Sequence, residues 1–207
     1  MTLYDIKPRF QALLRPLVAF IHARGATANA VTVAAAAGSV LLGALLARFG
    51  AEHAGLYLLL PVWLFIRMAL NAMDGMLARE FGQKSALGAY LNELCDVVSD
   101  AALILPFAYV QNFDAAQIVV IVVLAGLVEF AGALAPTVGA PRRYDGPMGK
   151  SDRALAFGAL GFWFGWAGSI PSFVTVTAQV VLIALHAATI VARVRSGLEA
   201  AKELEPS

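Results

Sequence analysis

Cysteine is almost absent from this chain. Cys95 is the single one in 207 residues, so no internal disulfide can form. Charge is scarce as well: Lys, Arg, Asp and Glu make up 14% of the residues and nearly cancel, to a formal +1. That balance by itself argues nothing about nucleic acid, because the basic residues are sorted by topology, and no nucleic-acid partner is expected. No period of about 20–50 residues repeats along the chain and no low-complexity linker divides it, so 1–207 reads as one domain. What remains is apolar. Hydrophobic residues reach 60% and the mean hydropathy is +0.75, whereas a soluble domain is about half apolar and about a quarter charged. The composition is that of a membrane protein. Cys95, beside Asp96 in an apolar stretch, reads as a buried structural thiol.

The N-terminus does not read as a cleaved signal, because Lys7, Pro8, Arg9, Arg15 and Pro16 interrupt it. Leu3, Ile6, Phe10, Leu13, Leu14 and Leu17 recur at helical spacing with Lys7, Arg9, Gln11 and Arg15 between them. Within an N-terminal segment 1–29, that pattern predicts an amphipathic helix, either lying in the bilayer interface or solvated and packed on the bundle. A spanning helix needs about 20 apolar residues. Six segments qualify: Ala30–Ala47, Ala54–Ala78, Gly88–Val110, Ala116–Pro136, Arg153–Ser169 and Ser172–Ala192. They are too long and continuous for strands, so the predicted fold is an all-α, six-transmembrane-helix bundle over 30–195, with a polar, frayed tail at 196–207.

Basic residues fix the direction. Lys7, Arg9, Arg15 and Arg24 precede the first span, Arg79 and Lys84 follow the second, Arg142, Arg143 and Lys150 follow the fourth, and Arg193, Arg195 and Lys202 follow the sixth. The other loops carry only Arg48. This alternation puts both termini in the cytoplasm and the chain in the cytoplasmic, or inner, membrane.

Polar residues concentrate on two neighbouring spans. Asn71, Asp74, Gly75 and Ala78 stand three and four apart, on one face of the second; Gly88, Asn92, Asp96 and Asp100 stand four apart on one face of the third. Antiparallel, the two faces oppose each other at the cytoplasmic boundary, and Gly75, Ala78 and Gly88 keep the gap open. Ionisable groups at membrane depth are costly, and by default functional. An all-oxygen cluster suits a hard divalent cation, Mg²⁺, Mn²⁺ or Ca²⁺, better than zinc. The bland alternative is that these groups only hold two helices together.

The stretch resembles the signature of the CDP-alcohol phosphotransferases, Asp-x2-Asp-Gly-x2-Ala-Arg-x8-Gly-x3-Asp-x3-Asp. Asp74, Gly75, Ala78, Arg79, Gly88 and Asp96 stand in frame with this 26-residue signature, laid over 71–96. Thr27, Asn29 and Thr32 look like the family's Thr-Pro-Asn-x-x-Thr lead into the first span, with Ala28 for proline. The departure is at the first and third aspartates, here Asn71 and Asn92, which removes two of four negative charges. The resemblance implies a class I family member that transfers a phosphatidyl group from CDP-diacylglycerol to an alcohol, releasing CMP, in phospholipid biosynthesis. It implies Gly75, Ala78, Arg79 and Gly88 around the cytidine nucleotide, and a Mg²⁺ or Mn²⁺ site drawn from Asn71, Asp74, Asn92, Asp96 and Asp100. Asp96 would be the general base, and Lys150 and Arg153, near the family's Gly-Lys-x-x-Thr, would meet the acceptor or its phosphate. Six spans behind an interfacial helix, and a homodimer, belong to the same implication.

Other polar residues read as structural. Arg67, one turn from Asn71, needs a deep acid, and Asp100 and Glu129 are the candidates. His186 reads as a packing residue. Gly158, Gly161, Gly165 and Gly168 form a stripe for close packing within the chain or between protomers. Rival functions are a family member with another CDP-alcohol donor and a catalytically impaired nucleotide- or lipid-binding protein. A transporter is disfavoured because the polar cluster sits at one membrane face. The topology is directly testable: green fluorescent protein fused after Ser207 should fluoresce and alkaline phosphatase at the same point should be inactive, and the reverse would refute a cytoplasmic C-terminus.

Overall fold

A computed structural model describes residues 3–204, with side chains from 10 to 203. Leu3, Ile6, Lys7 and Arg9 of the expected amphipathic pattern, and the last residues of the tail, therefore lie outside the described side chains. The chain is all helix apart from short connections: α1 (Leu3–Ala23), α2 (Ala28–Phe49), α3 (Leu59–Glu80), α4 (Ala86–Ile104), α5 (Ala115–Leu134), α6 (Lys150–Ala167) and α7 (Ser172–Leu204). Short 3-10 turns extend α3 at its start and α4 and α5 at their ends. The helices begin where polar side chains can satisfy free backbone N–H groups: Thr27, Ser85 and Asp114 cap α2, α4 and α5.

Four helical segments are long and apolar enough to cross a bilayer: Ala28–Phe49, Ala54–Glu80, Ala115–Val138 and Ser172–Glu203. Two of the six expected spans fall short of that standard, and the reason is local. α4 carries Glu93, Asp96 and Asp100 in 19 residues, and α6 carries Lys150, Asp152 and Arg153 in 18. The expected frayed tail is another difference. α7 continues unbroken for 33 residues, about 50 Å at 1.5 Å per residue, so the polar stretch after 195 is its last turns.

α1 is tied to the end of α3 by Arg15, whose Nη2 lies 3.0 Å from Glu80 Oε1, while its Leu13, Leu17 and Phe20 face outward. At the other end of the molecule the core is aromatic. Tyr57 sits edge-on to Phe107 and Phe164 with centroids 5.1 and 5.0 Å apart. The glycine stripe of α6 is used inside the chain: Gly161 and Gly165 admit Leu60 and Leu58.

α2 packs directly on the α4 backbone at Gly43, where a Cβ would fall 2.2 Å from the carbonyl oxygen of Ala102. No side-chain rotation relieves contact with backbone. Gly43→Ala should therefore cost about 1–3 kcal/mol, read as thermal unfolding in detergent. Gly126→Ala is the control, since its Cβ would sit 3.7 Å from Val97 Cγ1, an ordinary contact. Equal unfolding temperatures for the two variants would remove Gly43 as a packing constraint.

Candidate active site

α2, α3 and α4 converge around a cavity of about 490 Å³ at the end of the bundle where α3 stops and α4 begins. Its walls include Asn29, Asp74, Gly75, Ala78, Arg79, Gly88 and Asn92, and its far end is formed by Glu93, Ala133, Pro136 and Arg142. The four residues expected around the nucleotide thus line one space, with Asp74 and Asn92 in it. The glycines work by lacking a side chain. A Cβ on Gly75 would lie 2.8 Å from Arg79 Nη2, and one on Gly88 2.8 Å from Asn29 Oδ1.

Sequence reasoning missed the second rank of this site. Thr32 Oγ1 donates to Asp74 Oδ2 at 2.7 Å and lies 3.0 Å from the Ala28 carbonyl of its own helix, which competes for the same proton. Gln83 Oε1 accepts from Ala28 N at 2.7 Å, locking the start of α2 to the α3–α4 loop. The signal was present in the Thr27–Thr32 stretch, which was read as a helix start and not as part of the site.

Asp96 and Asp100 are elsewhere. Asp96 Oδ1 accepts from Arg67 Nη2 at 2.9 Å and from Asn71 Nδ2 at 3.2 Å, and its Oδ2 is held by the Lys150 ammonium. Asp100 accepts from Arg67 Nη1 at 2.6 Å and from Arg153 Nε at 2.8 Å. Arg153 also donates to Glu129 at 2.7 Å and is 1% exposed. On these contacts Asp100 is an ion-pair partner of two arginines, and Arg153 is a buried brace between α4, α5 and α6. The expected deep partner of Arg67 is present in Asp100, but Asp96 is a second one. Lys150 and Asn71 line a separate hollow of about 190 Å³ between α3 and α6.

The string continues into the loop. Arg142 donates to Glu93 at 2.6 Å and to Glu129 at 3.1 Å. Burial alone would lower its pKa, but the hydrogen bond and charge of Glu93 outweigh that and hold the guanidinium above the ordinary arginine value. Glu129 also receives Arg193 at 3.4 Å. His186 bonds Leu182 O through Nδ1 within its own helix, as a packing residue does.

The donor set tests whether a metal fits. Among the described residues no three His, Cys, Asp or Glu side chains converge as a metal cage. Asp96 and Asn71 are turned toward each other and toward cations, so a two-metal centre built on four side chains does not fit. One hard cation does: Asp74 presents a carboxylate to the cavity with Asn92 nearby, and Mg²⁺ is commonly held by one or two carboxylates plus substrate phosphates.

Apolar helices long enough to cross a bilayer thus frame a glycine-lined, carboxylate-bearing cavity at one end of the bundle. The chain belongs to the CDP-alcohol phosphatidyltransferase family, whose model matches residues 26–193. It is 50% identical over 173 residues to the inner membrane protein YnbA of Escherichia coli, covering 80% of this chain and 85% of that one. It is 28% identical over 160 residues to the phosphatidylinositol phosphate synthase of Streptomyces avermitilis, covering 74% of this chain and 64% of the relative. The fold matches that of the Mycobacterium tuberculosis phosphatidylinositol phosphate synthase with CDP-DAG bound, with a TM-score of 0.74 at 18% identity over 93% of this chain and 96% of that one. The same mycobacterial protein in complex with manganese and citrate gives a TM-score of 0.73 over 93% and 92%.

The Asn71–Asp96 contact yields a prediction. Asn71→Asp replaces a donor by a second carboxylate at 3.2 Å. Without divalent ions it should lose about 1–3 kcal/mol of stability, and saturating Mn²⁺ should restore most of it. Thermal unfolding with and without EDTA reads this, and a metal-independent loss would count against any cation binding at that point.

Proposed function

We propose that this protein transfers the phosphatidyl group of CDP-diacylglycerol to an alcohol at the cytoplasmic face of the inner membrane, releasing CMP. The observation that carries this reading is the single cavity that gathers Gly75, Ala78, Arg79 and Gly88 with Asp74. Small residues let a nucleotide approach the backbone, and Arg79 and Lys84 supply cations for its pyrophosphate. Support comes from the fold shared with a protein that binds CDP-DAG. An apolar groove of about 450 Å³ between α1, α2 and α3 suits the donor's acyl chains. In this reading 1–207 is one membrane unit, α2 to α7 all cross the bilayer, α1 lies along its cytoplasmic surface, and both ends of the chain are cytoplasmic.

The chemistry follows from the residues. Arg79 and Lys84 orient the donor phosphates. Asp74, with the amide oxygen of Asn92, would hold one Mg²⁺ or Mn²⁺. That cation, when bound, offsets charge gathering on the phosphate oxygens. Asp96 takes the proton of the acceptor hydroxyl at the oxygen that Lys150 holds, so Lys150 must give way as the acceptor arrives. The acceptor oxygen forms its bond to the phosphatidyl phosphorus, the bond from phosphorus to CMP breaks, and CMP leaves with the electron pair.

One observation favours a second reading. Asp96 is clasped by Arg67 and Lys150, as it would be in a binding protein that has given up turnover. The two readings part at Asp96→Asn. For a transferase, CMP release should fall by about 10²–10⁴-fold while CDP-diacylglycerol still binds. For a binding protein, neither the natural chain nor the variant releases CMP. An Asp96→Asn protein as active as the natural chain would remove Asp96 as the base.

A further inference from the structure

The far end of the cavity carries a charge arrangement that bears on the acceptor, and the argument rests on the transferase reading above. Eight buried or half-buried side chains form one alternating string: Lys150, Asp96, Arg67, Asp100, Arg153, Glu129, Arg142 and Glu93. Four cations alternate with four anions along these pairs, and Arg193 joins at Glu129, so the cluster holds five cations to four anions with every cation already paired. Arg143, the remaining cation of the loop, is paired with Asp145 at 2.9 Å.

A phosphate on the acceptor would bring up to two negative charges to this end. Recognition of phosphate depends on guanidinium or ammonium groups free to form charge-assisted bonds. Here the one guanidinium at the cavity end, Arg142, already holds two carboxylates through Nη2. A dianion would have to sit beside Glu93 and break a desolvated pair, and like charges in contact are a strong means of rejection. The remaining hydrogen-bonding capacity points the other way. Arg142 Nε and Nη1 are buried without a hydrogen-bond partner among the described residues, and the guanidinium lies over Tyr144, 4.2 Å from the ring centroid, so Arg142 turns no free donor out to a ligand. What the cavity offers at this end is the Glu93 carboxylate, 28% exposed along its side chain, and a carboxylate accepts hydrogen bonds from neutral hydroxyl groups.

We infer that the acceptor is an unphosphorylated polyol, with Arg142 and Glu93 as the residues that select it. Glu93 acts twice, as a hydroxyl acceptor and as the counter-charge that denies Arg142 to phosphate.

The test uses purified full-length protein in nanodiscs with CDP-diacylglycerol and matched acceptors: glycerol against glycerol 3-phosphate, and inositol against inositol 1-phosphate. CMP release should favour the unphosphorylated member by roughly tenfold or more. Glu93→Gln should narrow that gap by improving use of the phosphorylated member. Inorganic phosphate titrated into the donor-loaded protein is a readout independent of turnover: the natural chain should show no thermal shift at millimolar phosphate, and Glu93→Gln should gain one. CMP from the phosphorylated members alone, or a thermal shift of the natural chain by phosphate, overturns the inference and leaves phosphatidyl transfer standing. No CMP from any acceptor overturns the transferase reading and this inference with it.

Discussion

The buried string of ion pairs is the constraint on which the rest of this molecule depends. A carboxylate or guanidinium in an apolar interior loses several kcal/mol of hydration, and only a matched partner with good geometry recovers it. Arg153, at 1% exposure, has such partners in Asp100 and Glu129, which belong to two other helices. Arg67 ties a third helix to the same acids. The pairs therefore fix the relative depth of α3, α4, α5 and α6 more tightly than lipid-facing Val and Leu could, because apolar side chains slide past one another at little cost. The cavity mouth inherits that rigidity along one face of α4, where Gly88 and Asn92 line the cavity and Asp96 and Asp100 hold the arginines one and two turns on.

Much of this was legible in the sequence, and the limits have physical causes. The helices were readable from apolar runs, and Arg67 announced a buried acid because an unpaired guanidinium cannot stay in such a run. The cavity-lining set was readable because spacings of three and four fix a face of one helix. What spacing cannot give is which charged group from a distant loop reaches that face. Lys150 and Arg153 are three apart at the start of α6 and looked equivalent, yet one reaches the rim at Asp96 and the other disappears between Asp100 and Glu129.

The asparagines show a subtler limit. From the sequence, Asn71 and Asn92 are damaged copies of metal-binding aspartates. In three dimensions they have parted company. Asn92 remains in the cavity beside Asp74, whereas Asn71 donates its amide to Asp96 and opens onto a different hollow. An amide can donate where a carboxylate cannot, so the substitution at 71 creates a hydrogen bond as well as removing a charge. Lys150 then completes the neutralisation of Asp96 from the opposite side.

The sequential order of the charges has a consequence for biogenesis. On the six-span reading, α4 carries three acids toward the bilayer, each opposed on insertion scales by about 2.5–3.5 kcal/mol if buried near the centre. When it leaves the ribosome, Arg67 in α3 is the only neutralising residue of the string already made; Arg142, Lys150 and Arg153 lie 38 or more residues downstream of Ile104, where α4 ends. α4 must therefore wait, loosely held against α3, until α5 and α6 emerge and complete the pairing. Synthesis of the second half of the chain is thus what commits the first half to the membrane.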